Sequence, residues 1–282
     1  MLKAYYDLYK SPASFDFISF LVNAENYRKE NGEENIEIII MPGPIDGFRR
    51  DNLPPHDPKI RLQMLYNIVV QACSLLPSVA EVTISQTRER KINGNVFPIG
   101  YTPENKLSNY GLPVMIKMWQ KKEFPLVAPK PREKDNKLIT ITLRECSYWP
   151  MRNSNKQTWQ IAAAYLRKKG FKVLFVRDSE SCEPYNSGGF IEVNNDICEN
   201  AALYESAHAN LFVNNGPAWM ATFLKNANVT IFKMISVGAP ASSPDFFNQC
   251  GLPVGSQIGK EGHRIIWKDD TVENILEEIC WI

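Results

Sequence analysis

The sequence lacks the features by which many functional classes are recognised. Its formal net charge is only +1, with 32 Lys and Arg against 31 Asp and Glu, so it carries neither a polyanion-binding excess nor an acidic tail. Nucleic acid is therefore not an expected partner. Cysteine is sparse and scattered: Cys73, Cys146, Cys182, Cys198, Cys250 and Cys280 form no C-x-x-C pair and have no His at zinc-finger spacing. That excludes a structural zinc and a disulfide framework and fits reduced thiols. No apolar run approaches the ~18 residues a membrane span requires. The opening MLKAYYDLYKSPASFDF lacks the basic-then-apolar order of a signal peptide. A cytoplasmic protein is expected, with a peripheral contact at the inner face of a membrane left open. Also missing are a Ser-His-Asp signature, a P-loop, G-x-G-x-x-G, H-E-x-x-H and a D-x-D pair. Their absence argues against hydrolase, kinase, dehydrogenase and metal-dependent transferase chemistry. No metal ligands and no cofactor are expected.

What is present is an alternation of short apolar runs with amphipathic ones. A chain of 282 residues corresponds to two domains or one large α/β domain. Ala4 to Leu8 reads as a strand, Ser11 or Ser14 as the cap of a helix through Phe15, Phe17, Ile18, Phe20 and Leu21, and Ile36 to Met41 as a buried strand. A helix is expected from Ile60 to Leu76, a strand from Val79 to Ile84, and a short helix between Leu107 and Trp119. The segment FPLVAPKPREKDN, residues 124–136, is rich in proline and charge and reads as a linker. The pattern then restarts: strands at Leu138 to Leu143, Lys172 to Val176, Phe190 to Val193 and Val229 to Phe232, and helices at Trp159 to Lys169, with Gly170 as its stop, and Thr271 to Ile279. Leu203 to Phe223 reads as helix, strand and helix. The expected architecture is α/β, with two Rossmann-like doubly wound domains, 1–125 and 126–282, facing a cleft.

In such sheets ligands sit beyond the carboxyl ends of the strands, so the residues that follow each strand are the candidates. In the second half these are Arg144 and Glu145, Arg177 and Asp178, Asn214 and Asn215, and Lys233. With Arg152 in the loop YWPMRNSN, Arg144 and Arg177 could set guanidinium groups over a diphosphate, whose spread charge suits bidentate donors. A solvated surface pair is the alternative for Arg177 and Asp178. Asn153 or Ser154 could equally cap the following helix. Asn215-Gly216-Pro217 reads as a helix start whose free amides could also face an anion. Glu205 is a candidate acceptor for a sugar hydroxyl, against the default of a solvent-facing helical glutamate. In the first half Asp16, at the start of a helix, is the candidate base for an acceptor hydroxyl, the alternative being a first-turn acid favoured by the helix dipole. Arg49, Arg50 and His56 lie in the long polar loop GFRRDNLPPHD and form a candidate acceptor-binding group, the alternative being a merely solvated loop, with His56 beside Asp57 as a reserve base.

The segment ENAALYESAHANLFVNNGPAWMATFL (199–224) resembles heptosyltransferase-like glycosyltransferases of the GT-B class, in which a D-S-G-P-x-H pattern forms part of the sugar-nucleotide site. Asn214-Asn215-Gly216-Pro217 stands where that family has Asp-Ser-Gly-Pro, and Trp219 where it has His. The segment ITLRECSYWPMRNSN (141–155) is similar to the opening strand and loop of the C-terminal half of such enzymes. The resemblance implies a metal-independent, inverting glycosyltransferase acting in surface polysaccharide or glycolipid assembly. A nucleotide-diphosphate sugar would be the donor and a glycan or glycolipid the acceptor. Arg144, Arg152 and the amides at Gly216 would neutralise the departing diphosphate, and Asp16 would deprotonate the acceptor. Two other functions fit the same layout: a nucleotide-sugar enzyme such as an epimerase, and a binding protein without turnover. The nucleotide base, sugar, acceptor and oligomeric state are not specified by the sequence.

Overall fold

A computed structural model of the chain describes residues 1–50, 57–88, 92–146, 149–178, 192–193 (backbone), 196–257 and 259–280. The chain forms two compact units, Met1–Pro129 and Lys130–Ile282. Both are α/β, each built on a parallel sheet with interleaved helices.

In the first unit, strands β1 (Leu2–Asp7), β2 (Ile36–Met41), β3 (Val79–Ile84) and β4 (Val96–Phe97) form one sheet in the order β3-β2-β1-β4. The described pairings are parallel. β2 is buried along its whole length, as its run of isoleucines requires in a sheet covered on both faces. Helix α1 (Asp16–Glu30) links β1 to β2. A second helical segment, α2 (Pro58–Met64), runs on through a π-type turn, Leu65–Val70, into α3 (Gln71–Cys73). It starts two residues before the expected Ile60, with the Asp57 carboxylate accepting from Lys59 N–H and proline in the first turn. Helix α4 (Leu112–Gln120) packs on α1. Of the two serines read as caps for α1, Ser14 takes that role indirectly. Its hydroxyl accepts from the Asp16 amide, while Phe15 occupies the cap position without a side-chain bond.

In the second unit, β5 (Asp135–Thr142), β6 (Lys172–Val176), β7 (Glu192–Val193), β8 (Ala207–Val213), β9 (Val229–Phe232) and β10 (His263–Ile265) lie in the order β10-β9-β8-β5-β6-β7. The helices are α5 (Lys156–Lys168), α6 (Ile197–Ser206), α7 (Gly216–Thr222), α8 (Pro244–Gln249) and α9 (Val272–Ile279). The short elements β4, α8 and β10 have too few residues to show a period, and the sequence reading misses them. The core includes Ile139, Ile141, Trp159, Leu166, Phe175, Leu211, Phe232 and Ile275. Gly170 ends α5 in the left-handed region, φ 92°, as its place in the sequence indicates.

The strand orders have a direct consequence. From β5 the chain winds outward through β6 and β7, and from β8 it winds the opposite way through β9 and β10. This is the 3-2-1-4-5-6 order of a doubly wound sheet, and its reversal lies between β5 and β8. The first unit reverses between β1 and β4 in the same way. At such reversals the loops leave the sheet in opposite directions and open a crevice at the carboxyl edge.

Candidate functional site: the switch point of the second unit

The two loops that diverge at the β5/β8 switch point are 143–155 and 214–215. Each is organised by hydrogen bonds that the sequence only hints at. Arg144 lies two residues past the end of β5 and is 2% exposed. Its Nη1 donates to the Trp149 carbonyl (3.2 Å) and to Asn153 Oδ1 (2.5 Å). Asn153 also takes the Cys146 amide on Oδ1 and gives Nδ2 to the Cys146 carbonyl. Ser154 closes the loop through its hydroxyl, which accepts from the Arg144 amide at 2.8 Å. Arg144 and Asn153 thus sit in the interior of their own loop, and Glu145 pairs with Lys156. Trp149 adopts a left-handed conformation, φ 52°, and a short 3₁₀ turn, Pro150–Arg152, follows it.

Arg152 crosses the switch point. Its Nη2 donates to the Asn214 carbonyl at 3.1 Å, joining the loop after β5 to the loop after β8. Asn214, 5% exposed, is held on every side. Its amide donates to the Phe232 carbonyl (3.0 Å) and its Nδ2 to the Met234 carbonyl (3.1 Å). Its Oδ1 accepts from Trp219 Nε1 (3.2 Å). Asn214 and Trp219, two of the three positions that depart from the D-S-G-P-x-H pattern, are therefore bonded to each other, a neutral pair where that pattern has a carboxylate and an imidazole. Asn215 caps α7 through Oδ1, which accepts from the Ala218 amide at 3.1 Å. Its Nδ2 is buried and has no hydrogen-bond partner among the described residues. Gly216 is half-buried and Pro217 buried in the first turn.

The remaining candidates of the second unit separate from this group. Arg177 is half-buried just beyond β6. Beside it Asp178 is buried near Tyr204, whose hydroxyl lies 3.0 Å from Thr142 Oγ1. Burial, with Asp178 adding to it, pushes the Tyr204 hydroxyl well above the usual phenol range. Glu205 lies at the other edge of the sheet. It stands two residues before β8 begins, and its Oε1 accepts from the Asn226 amide at 3.0 Å. Seven residues of β8 separate it from Asn214, a span of roughly 20 Å at ~3.3 Å per residue. It joins Lys134 and Lys260, whose ammonium groups cap the carbonyls of Glu205, Ala207, Leu224 and Lys225. Burial, opposed by Glu205 and reinforced by Lys134, brings Lys260 down to about 8.

In the first unit, Asp16 is half-buried at the start of α1 and its Oδ2 accepts from the Ser14 hydroxyl at 3.0 Å. It belongs to a polar group beyond β1. Tyr6 donates to the Pro12 carbonyl (2.6 Å), and both Arg49 Nη1 (3.4 Å) and Tyr110 (2.9 Å) donate to the Lys10 carbonyl. Burial, then the negative charge of Asp16, pushes the Tyr6 hydroxyl far up, and Arg49 opposes the shift. Asp16 and Arg49 are thereby brought to one group. Arg50 is exposed beside it, and His56 lies outside the described residues.

The most developed ionic centre of this unit was not anticipated from the sequence. Asp7, the last residue of β1, is fully buried. Arg88 grips both its oxygens (2.8 and 2.6 Å), and Tyr101, which follows β4, donates to Oδ2 at 2.7 Å. Arg88 also donates to the Pro42 and Pro103 carbonyls. The only available signal was an aspartate at the end of an apolar strand. No group of three or more His, Cys, Asp or Glu suited to a metal occurs among the described residues. No helix among them is long and apolar enough to cross a membrane.

No protein-family model matches the sequence, and no curated protein matches it. Among solved structures, the chain is similar to the iron-containing dodecameric glycosyltransferase TibC from enterotoxigenic E. coli H10407, at 14% identity and a TM-score of 0.48. The match covers 86% of this chain and 60% of that one. It is also similar to a family 9 glycosyl transferase from Veillonella parvula DSM 2008, at 9% identity and a TM-score of 0.49, over 100% of this chain and 91% of that one. A further structure is described as the dodecameric iron-containing heptosyltransferase TibC in complex with ADP-D-beta-D-heptose. It matches at 15% identity and a TM-score of 0.47, over 96% of this chain and 65% of that one. This chain thus spans less than two thirds of the length of the two TibC structures.

Proposed function

We propose that the chain is a glycosyltransferase that uses a nucleotide-diphosphate sugar, bound at the switch point of the second unit. The observation that carries this reading is the Arg152–Asn214 bridge at 3.1 Å between the two loops that diverge there. Ligands of open α/β sheets occupy that crevice, and an anchored guanidinium in it is suited to the spread charge of a diphosphate. The buried Asn215 Nδ2 offers a donor beside it. The reaction class follows from the resemblance of residues 199–224 to heptosyltransferase-like sequences. Stabilising the departing diphosphate is the electrostatic task such a transfer sets. Arg152 performs it, and Arg144 and Asn153 act by holding the loop on which Arg152 stands. Asp16 takes the proton of the acceptor hydroxyl, the acceptor being a glycan or glycolipid, and Arg49 lies in its surroundings. The transfer is inverting, and the pathway is surface polysaccharide assembly.

A thermal-shift panel of nucleoside diphosphates and nucleotide sugars, run with EDTA and with Mg²⁺, tests the donor site. A selective rise that survives EDTA and is lost in Arg152→Ala is the expected result. No shift by any nucleotide would overturn it. Unchanged turnover in a folded Asp16→Asn would remove Asp16 as the base. A second reading, binding without turnover, is favoured by the neutral Asn214–Trp219 pair. It predicts the same shifts but no product with any acceptor.

A further inference from the structure

One ionic centre close to this site has no part in the reading above. Lys233 directly follows β9, and its backbone is left-handed, φ 52°, a conformation that costs a non-glycine residue about 1 kcal/mol or more. The residues on either side of it, Phe232 and Met234, both offer their carbonyls to Asn214, one to its amide and one to its side chain. The turn at Lys233 therefore aims the carbonyls on either side of it at the residue that Arg152 grips. Its ammonium lies 2.8 Å from Asp270 Oδ1 and 3.3 Å from Asp269 Oδ1. The other oxygen of Asp270, a residue 3% exposed, accepts from the Asn155 amide (2.7 Å) and from Trp159 Nε1 (3.1 Å). Asn155 is the cap residue of α5, yet its own side chain makes no capping bond. The carboxylate at this helix start comes instead from Asp270. A negative group is favoured there, and Thr158 adds a bond from its hydroxyl to the Asp270 carbonyl at 2.8 Å.

We propose that Lys233 and Asp270 are positioning residues for the nucleotide site, locking the start of α5, and with it the loop bearing Arg152, to the strand end that holds Asn214. The inference rests on the switch-point reading of the donor site. It adds a buried ion pair that touches no ligand and sets the separation of the two loops that do. The chain of contacts is continuous: Asn155 to Asp270, Asp270 to Lys233, Lys233 through its neighbouring carbonyls to Asn214, and Asn214 to Arg152.

The test uses the full chain and, as probe, the nucleoside diphosphate that gives the largest thermal shift with the wild type. Calorimetric titration is made on Lys233→Met, Lys233→Gly, Lys233→Arg and Asp270→Asn. Amide hydrogen exchange is followed over 149–159 and 214–218 in the absence of nucleotide. Lys233→Met and Asp270→Asn should weaken binding about tenfold or more, as for other groups that orient a ligand-bearing residue. Exchange in both loops should rise, and Lys233→Arg should recover most of the affinity. Lys233→Gly separates positioning from stability: it relieves the left-handed strain and should regain melting temperature while binding stays weak. The proposal is overturned if the variants bind as the wild type does, or if Lys233→Gly restores binding along with stability. If no nucleotide binds the wild type, the donor-site reading fails. Exchange then decides the positioning claim alone, and it fails if protection in 149–159 and 214–218 is unchanged.

Discussion

The two sheets reverse their winding in the same way, yet they fill the resulting crevices differently. At β1/β4 the space is closed from within: Asp7 is fully buried, Arg88 and Tyr101 use its oxygens, and Arg88 ties down two further carbonyls. At β5/β8 the strand ends carry no ion pair of that kind among the described residues. A guanidinium from one loop rests on a carbonyl of the other, Glu145 of the first loop pairs with Lys156, and a further ion pair, Lys233 with Asp270, stands just past β9. Topology therefore provides a crevice in both units, and the placement of charge distinguishes the two.

The largest expected effect is at the sealed crevice. Arg88→Met leaves the Asp7 carboxylate buried without its partner, and such losses cost about 3–5 kcal/mol. Urea denaturation of the first unit should show it, and a change below ~1 kcal/mol would break the contrast. At the second crevice, Arg152→Ala should cost little stability but about 2 kcal/mol of nucleotide binding, roughly 30-fold. Equal weakening by Arg88→Met, in protein shown to be folded, would move the ligand to the first unit.

A pH series sharpens the picture of the opposite edge of the second sheet. Burial, with Lys260 adding to it, pulls the His263 imidazole down to about 4, and the Ala227 carbonyl only partly opposes this. Unfolded His titrates near 6.5, so below that pH the unfolded chain binds a proton that the folded one refuses. Stability should be fully present above pH ~6.5 and fall as the pH drops toward 4. His263→Gln should remove about 1–2 kcal/mol of that dependence, and an unaltered profile would show that the imidazole is not held neutral. The smallest effect is expected from Glu205→Gln, below ~1 kcal/mol in stability with nucleotide binding unchanged. Loss of binding there would contradict the assignment of the site to the carboxyl edge.

Glu205 shows why some of the candidate site was legible in the sequence and some was not. It lies nine residues before Asn214 in the chain, and that nearness suggests a shared site. A strand that must be crossed in between puts the two at opposite edges. Arg144 is informative in the reverse sense. The sequence shows correctly that it follows a strand, but burial spends its guanidinium on Asn153 and Trp149, whereas Arg152, eight residues on, reaches the neighbouring loop. The Lys233–Asp270 contact spans 37 residues and the Asp7–Arg88 contact spans 81. No local period carries contacts of that range.

What the sequence determined by itself is the succession of the longer elements. Hydrophobic periodicity, the Asn215-Gly216-Pro217 helix start and the Gly170 stop act within a few residues, so they can be read from a few residues. The α/β class and the restart of the pattern after the linker follow from them. The tertiary structure alone decided the strand order, which required β4 and β10, and so where each sheet reverses. It also decided which charges are buried against partners and which remain at a crevice. Those outcomes depend on what a side chain meets across the sheet, and in a parallel fold that neighbour arrives from a distant part of the chain.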